Sequence, residues 1–170
     1  GGITAVLTAV KSKLVKGCIA LDPWFLPRDY DCLDYSHLKS IPFQTLTTET
    51  YHESKRKLHD HRQSMHAFMD RVQENSCLEV AYSLDCGHCN QIDMSVLIPI
   101  EARLKKPGMF GPFGNSLRTN EIKLKMHFWL QLKYLHKAGL TSELLDIDAV
   151  HKALKKSEDV MNLLWVKKFD

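Results

Sequence analysis

The fold of this chain turns on GCIALDPWFLP, residues 17 to 27. Cys18-Ile19-Ala20-Leu21 is a short, uninterrupted apolar run. Bounded by turn residues, such a run reads as a strand buried on both faces, the kind that parallel sheets contain. Asp22-Pro23 ends it, because proline brings no ladder donor. Immediately upstream, GGITAVLTAVKSKLVKG sets Ile3, Val6, Leu7, Val10 and Leu14 at three- and four-residue spacing. That is one apolar stripe on a helix, entered through glycines and stopped at Gly17.

Working downstream, residues 23 to 40 read as a loop rich in Pro, Asp, Tyr and Ser. IPFQTLTTE (41 to 49) gives a second strand and CLEVAYSL (77 to 84) a third. Between them, residues 53 to 75 read as a helix, with Leu58, Met65, Phe68, Met69 and Val72 on one face. MSVLIPIEARL (94 to 104) is mostly apolar and helical in part, KKPGMFGPFGN (105 to 115) is a Gly/Pro loop, and residues 120 to 139 form a long helix closed by Gly139. A short helix follows over 142 to 155. Strands alternating with helices predict an α/β protein, a mainly parallel sheet with flanking helices. In such sheets function sits in loops beyond the carboxyl ends of the strands. Two of those loops carry candidate groups: Asp22 after the first strand and His88 after the third.

Bulk properties narrow the classes. With 44% hydrophobic and 25% charged residues the chain is globular rather than disordered, and 170 residues suffice for one sizeable core. The net charge of +3 is too mild to argue for a nucleic-acid partner. Lys55-Arg56-Lys57 and Lys155-Lys156 read as solvated helix faces. No apolar run reaches the roughly 18 residues of a membrane span. Five cysteines at irregular spacing do not form a disulfide framework.

LDCGHCNQID, residues 84 to 93, admits two chemistries. Cys86-Gly87-His88-Cys89 has the C-x-x-C form of a thiol-disulfide oxidoreductase. That chemistry needs the first cysteine at a helix N-terminus, where the dipole lowers the thiol pKa. Asp85, just before it, opposes a thiolate by like-charge repulsion. Zinc ligation by Cys86, His88 and Cys89, or by His59, His61 and His66, lacks clean finger spacing, and the second group reads as surface histidines on a charged helix. The other chemistry pairs His88 with Asp22. An aspartate and a later histidine at the tips of parallel strands are two-thirds of an acid-base-nucleophile triad. In α/β-hydrolases the chain order is Ser, Asp or Glu, then His, with the serine on a G-x-S-x-G turn that runs into a helix.

The residues also resemble a family. Gly17-Cys18-Ile19-Ala20-Leu21-Asp22-Pro23-Trp24-Phe25-Leu26-Pro27 is similar to the G-x-A-L-D-x-W-x-x-P stretch of platelet-activating-factor acetylhydrolases, the group VII phospholipases A2. Gly1-Gly2 resembles the end of that family's G-H-S-x-G-G elbow. Ile41-Pro42 and Thr48-Glu49 bracket a strand similar to its next one. His88, followed by Asn90, Gln91 and Asp93, resembles its histidine loop. Residues 52 to 75 are longer than the corresponding family segment, and the flanking cysteines depart from its pattern.

The resemblance implies the carboxyl-terminal part of a single α/β-hydrolase domain spanning residues 1 to 170. The nucleophilic serine is then expected two positions before Gly1 in a longer parent. Asp22 would orient the imidazole, and His88 would act as general base and then general acid. Trp24, Phe25 and Leu26 would border the acyl pocket. The substrate implied is a phospholipid with a short or oxidised sn-2 acyl chain, met at a membrane or lipoprotein surface. No metal or other cofactor is implied, because a Ser-His-Asp set generates its nucleophile by proton transfer. Met109, Phe110 and Phe113, with Phe128 and Trp129, are candidates for contact with that surface. The strand at 18 to 21 is expected at a sheet edge, with the stripe of the first helix uncovered. A non-catalytic lipid-binding piece is a third reading.

Overall fold

The computed structural model describes residues 1–24, 33–52, 55–56, 59–75, 78–83, 86–91, 97, 99, 105, 117–142 and 146–155. They fall into two compact units. Among the described residues, the first is built from Gly1–Thr47 and Tyr51–Tyr82, the second from Thr48–Thr50 and Ser83 to Lys155.

The first unit begins with α1 (Gly2–Lys11) and β1 (Cys18–Leu21). The short helix α2 (Ser36–Ser40) precedes β2 (Phe43–Thr48), and α3 (Glu49–His52) follows it. A two-stranded antiparallel ribbon, β3 (Lys55–Arg56) with β4 (His59–Asp60), leads into α4 (His61–Val72). β5 (Leu78–Ser83) completes a three-stranded sheet of order β1-β2-β5. β1 runs parallel to β2, with Cys18 opposite Phe43 and Leu21 opposite Leu46. The architecture is thus a small parallel sheet flanked by helices.

Burial explains the arrangement. Every residue of β2 is buried, as the central position in the sheet requires, while β1 alternates, with Cys18 and Ala20 turned to the core. That core gathers Val6 and Ala9 from α1, Leu38 from α2, Phe43 from β2, and Met65, Phe68 and Val72 from α4. Phe68 is its hub. Tyr35 and Phe43 both meet its ring edge-on at 5.7 Å, the arrangement that the aromatic quadrupole favours. Asn75 closes the floor of this core, donating from Nδ2 to the carbonyls of Leu38 and Ile41 at 2.9 and 2.7 Å.

Several expectations need correction. α1 ends at Lys11 rather than Gly17. Ser12 is already extended, and the His37 ring donates from Nε2 to the Val15 carbonyl at 3.1 Å, pinning the exit towards β1. Leu14, assigned to the stripe, is left exposed. Three of the other stripe residues are covered: Val6 is buried, and Ile3 and Val10 pack on the core. The loop before β2 contains α2. The helix expected from residue 53 begins only at His61, where Asp60 caps it by accepting from the Gln63 N–H at 3.1 Å. Lys55 and Arg56 therefore stand in a ribbon strand, not on a helix face. His61 is buried rather than on the surface.

The second unit contains the 3-10 turn His88–Gln91, the long helix α5 (Leu117–Lys137) and α6 (Ile147–Lys155). α5 closes as its sequence predicts: Gly139 takes φ +68°, Leu140 N–H reaches back to the Leu135 carbonyl at 2.9 Å, and Gly139 N–H to that of His136 at 3.0 Å. Left-handed φ costs glycine nothing, so it ends helices in this way. On α5, Asn120, Lys123, Met126, His127, Leu130 and Tyr134 are all buried and follow helical spacing. Asp146 starts α6 by accepting from the Ala149 N–H at 2.8 Å.

Candidate functional site

Asp22 sits where the sequence puts it, directly after β1 and buried. Its backbone is left-handed, with φ +39°, and its N–H donates to the Leu46 carbonyl at 3.0 Å. It is the one described non-glycine residue with positive φ. Aspartate tolerates this region better than most residues, but the conformation still has to be held by its surroundings.

The start of α1 packs against the two sequence neighbours of Asp22. Gly2 lies so close to the end of β1 that an added Cβ would stand 2.1 Å from the Leu21 carbonyl oxygen and 3.0 Å from the Pro23 Cα. Only glycine permits this approach of helix start to strand end. Two residues on, Trp24 is 36% exposed and packs at 5.7 Å on the His61 ring, which Tyr51 meets at 4.6 Å. His52 adds an edge-on contact with Tyr82 at 5.2 Å. Phe25 and Leu26 lie outside the described residues. A cavity of about 600 Å³ in this unit is bordered by Lys11, Lys13, Asp34 and His37 at the far end of α1, and neither Asp22 nor Trp24 lines it.

His88 belongs to the second unit and is exposed, while Cys86, Gly87, Cys89, Asn90 and Gln91 around it are buried. The turn is tied down on both sides. Before it, the Cys86 carbonyl accepts from both the N–H and the hydroxyl of Thr50, at 3.1 Å each. After it, Asn90 is fully engaged. Its Oδ1 accepts from the Gly87 N–H at 2.7 Å, its N–H donates to the Gly87 carbonyl at 2.9 Å, and its Nδ2 donates to Asn120 Oδ1 at 2.6 Å. Its carbonyl accepts from His127 Nδ1 at 3.0 Å.

That last bond assigns the protons. A carbonyl only accepts, so His127 carries its proton on Nδ1, and its Nε2 accepts from the Ser83 hydroxyl at 2.8 Å. Burial, chiefly, pushes the His127 pKa down to about 4, with nearby Lys123 adding to the effect and the Asn90 carbonyl opposing it. Ser83 and His127 thus form a serine–histidine pair, but both are buried. Sequence reading passed over Asn120 and His127 as ordinary members of a long helix. The only signal was their polarity, seven residues apart, on what becomes the buried face.

Cys86 and Cys89 lie in the loop and its single 3-10 turn, not at the start of a long helix. Among the described residues, no cluster of His, Cys, Asp and Glu is disposed to hold a metal, and no helix is long and apolar enough to cross a membrane. On α5, Trp129 is buried beneath the Lys133 ammonium at 4.9 Å, whereas Phe128 is 60% exposed. Met109, Phe110 and Phe113 lie outside the described residues. Asp22 and His88 stand in different units, and the geometry of each is defined within its own. No family model, curated protein or solved structure matches the chain.

Proposed function

We propose that this chain is the carboxyl-terminal part of an α/β-hydrolase that removes the sn-2 acetyl or short acyl group of platelet-activating factor and related phospholipids. In this reading a serine two positions before Gly1 attacks the ester carbonyl. His88 takes the serine proton as general base and returns it to the leaving alcohol as general acid. Asp22 orients the imidazole and stabilises its cation. Trp24, with Phe25 and Leu26, borders the acyl pocket. The reaction draws on proton transfer alone and asks for no cofactor. The partner is a phospholipid at a membrane or lipoprotein surface, and the exposed Phe128 suits such a contact.

The observation that carries the reading is the histidine turn. Buried polar groups on both sides of His88 are engaged in holding its backbone, and the side chain they present is exposed. A working imidazole needs both a fixed base and an open face. Gly2 gives independent support. A glycine at the start of a helix that lies close to a neighbouring strand end is compatible with the end of a G-x-S-x-G-G elbow, a sharp turn that runs into a helix. β1 stands at the edge of the described sheet, where an elbow strand would add. The rival thiol-disulfide reading has less to draw on, since Cys86 and Cys89 are both buried and precede or occupy only a single 3-10 turn.

The test uses the parent polypeptide. Its sequence ahead of Gly1 should contain G-x-S, and the protein should release acetate from platelet-activating factor and be blocked by an organophosphate. His88→Ala should lower kcat by about 10⁶-fold and Asp22→Asn by about 10⁴-fold, as loss of the base and of the orienting carboxylate of a triad does. Wild-type turnover in both variants, or insulin reduction that is lost with Cys86→Ser, would replace this reading by another.

A further inference from the structure

We propose that Asn90, Asn120 and His127 are positioning residues for His88: α5 grips the catalytic turn at two points, seven residues apart on one helix face. The proposal rests on the reading of His88 as the base. Asn120 and His127 lie on the same side of α5, about 10 Å apart along its axis. Asn120 accepts from the Asn90 side-chain Nδ2 through its Oδ1, and His127 donates from Nδ1 to the Asn90 carbonyl. Asn90 in turn holds the Gly87 N–H and carbonyl. His88 is thereby bracketed by a loop of hydrogen bonds that closes from Gly87 to Asn90.

Ser83 completes the set. Its hydroxyl satisfies His127 Nε2, which fixes the imidazole as the neutral tautomer that can serve Asn90. Ser83, Asn90, Asn120 and His127 are all buried. A buried network in which each of these bonds is made is stiff, because releasing any member strands a polar group away from water. His127 is sealed from substrate, so its part in the reaction is to hold a neighbour, not to move a proton. Stiffness here matters because a displacement of about 1 Å in a catalytic group can cost a hundredfold in rate.

The experiment compares Asn120→Leu, Asn120→Asp and His88→Ala in the parent polypeptide. A soluble acetyl ester serves as substrate, and turnover is normalised to the serine titrated by an organophosphate. Amide exchange at Gly87 and Asn90 is followed alongside. Asn120→Leu should speed exchange at Gly87 and lower kcat per titrated site by about ten- to a hundredfold. KM should stay within about twofold, since ester contacts are untouched. Asn120→Asp, which keeps the acceptor for Asn90 Nδ2, should recover most of kcat. If Asn120→Leu does not fold, Ser83→Ala carries the test: it deletes the hydroxyl that fixes His127 and nearly preserves shape, and should lower kcat with the same unchanged KM. Wild-type kcat per site in the folded variant, or a loss confined to the titratable fraction, overturns the proposal while His88→Ala remains inactive. An active His88→Ala overturns the base assignment itself, and the proposal with it.

Discussion

Acidification from neutral pH to about 4 should destabilise the second unit through one residue, His127. In the folded protein this imidazole is buried, its Nδ1–H is committed to the Asn90 carbonyl, and Lys123 lies one turn away on the same helix. Burial disfavours the cation, so its pKa falls from the ordinary 6.5 to about 4. Between those values the unfolded chain binds a proton that the native chain does not, and stability must fall as pH falls. The contribution is complete above 6.5, is lost progressively towards 4, and does not change further below. The slope is about 1.4 kcal/mol per pH unit in that window, and over the whole gap the loss is ~3 kcal/mol. Typical domains are stable by only about 5–15 kcal/mol, so the effect is large. Urea unfolding, followed by circular dichroism at intervals from pH 7.5 to 4, measures it. The comparator is His127→Gln, which keeps a donor and an acceptor but does not titrate. The substitution lowers stability somewhat at every pH and should flatten the curve across the window. Parallel curves for the two proteins would refute the reasoning, because the acid loss would then arise elsewhere.

Gly2→Ala should lower stability by about 1–3 kcal/mol, since its Cβ would stand 2.1 Å from the Leu21 oxygen and α1 must shift; an unchanged melting temperature would show that the helix start is not pressed on β1. Phe68→Ala should cost about 3–5 kcal/mol, because it empties the position between Tyr35 and Phe43, and denaturant unfolding gives the value directly. Burial pushes the Cys18 thiol up to about 11. Mass spectrometry after brief iodoacetamide treatment at about pH 8 should therefore find Cys18 unmodified in the native protein and alkylated after unfolding; rapid labelling of the native protein would contradict its burial.

Local signals were enough for much of the fold. The run Cys18-Ile19-Ala20-Leu21 is β1 to the residue, because a continuous apolar run before Asp-Pro leaves few alternatives. The cores of β2 and β5 were legible for the same reason. Gly139 ends α5 as expected, since positive φ is a property of the residue itself. Asp22 and His88 could be named as candidates, and the loop setting of Cys86 and Cys89 anticipated, because strand ends mark where loops must fall. Other features depended on partners distant in sequence. Residues 53 to 60 are a local exception: their composition is helical, yet β3 and β4 pair there and α4 begins only after the Asp60 cap, so local strand pairing overrides a weak propensity. The exit from α1 is tied by His37 to the Val15 carbonyl, and the left-handed turn at Asp22 is tied by its N–H to the Leu46 carbonyl, both far along the chain. The network around Asn90 was invisible for the same reason. Ser83, Asn90, Asn120 and His127 come from a strand, a 3-10 turn and a helix, and nothing in the periodicity of any one of them says whose hydrogen bonds it will satisfy. Propensity and patterning act over a few residues, whereas a buried polar group is placed by whichever partner the folded chain brings to it.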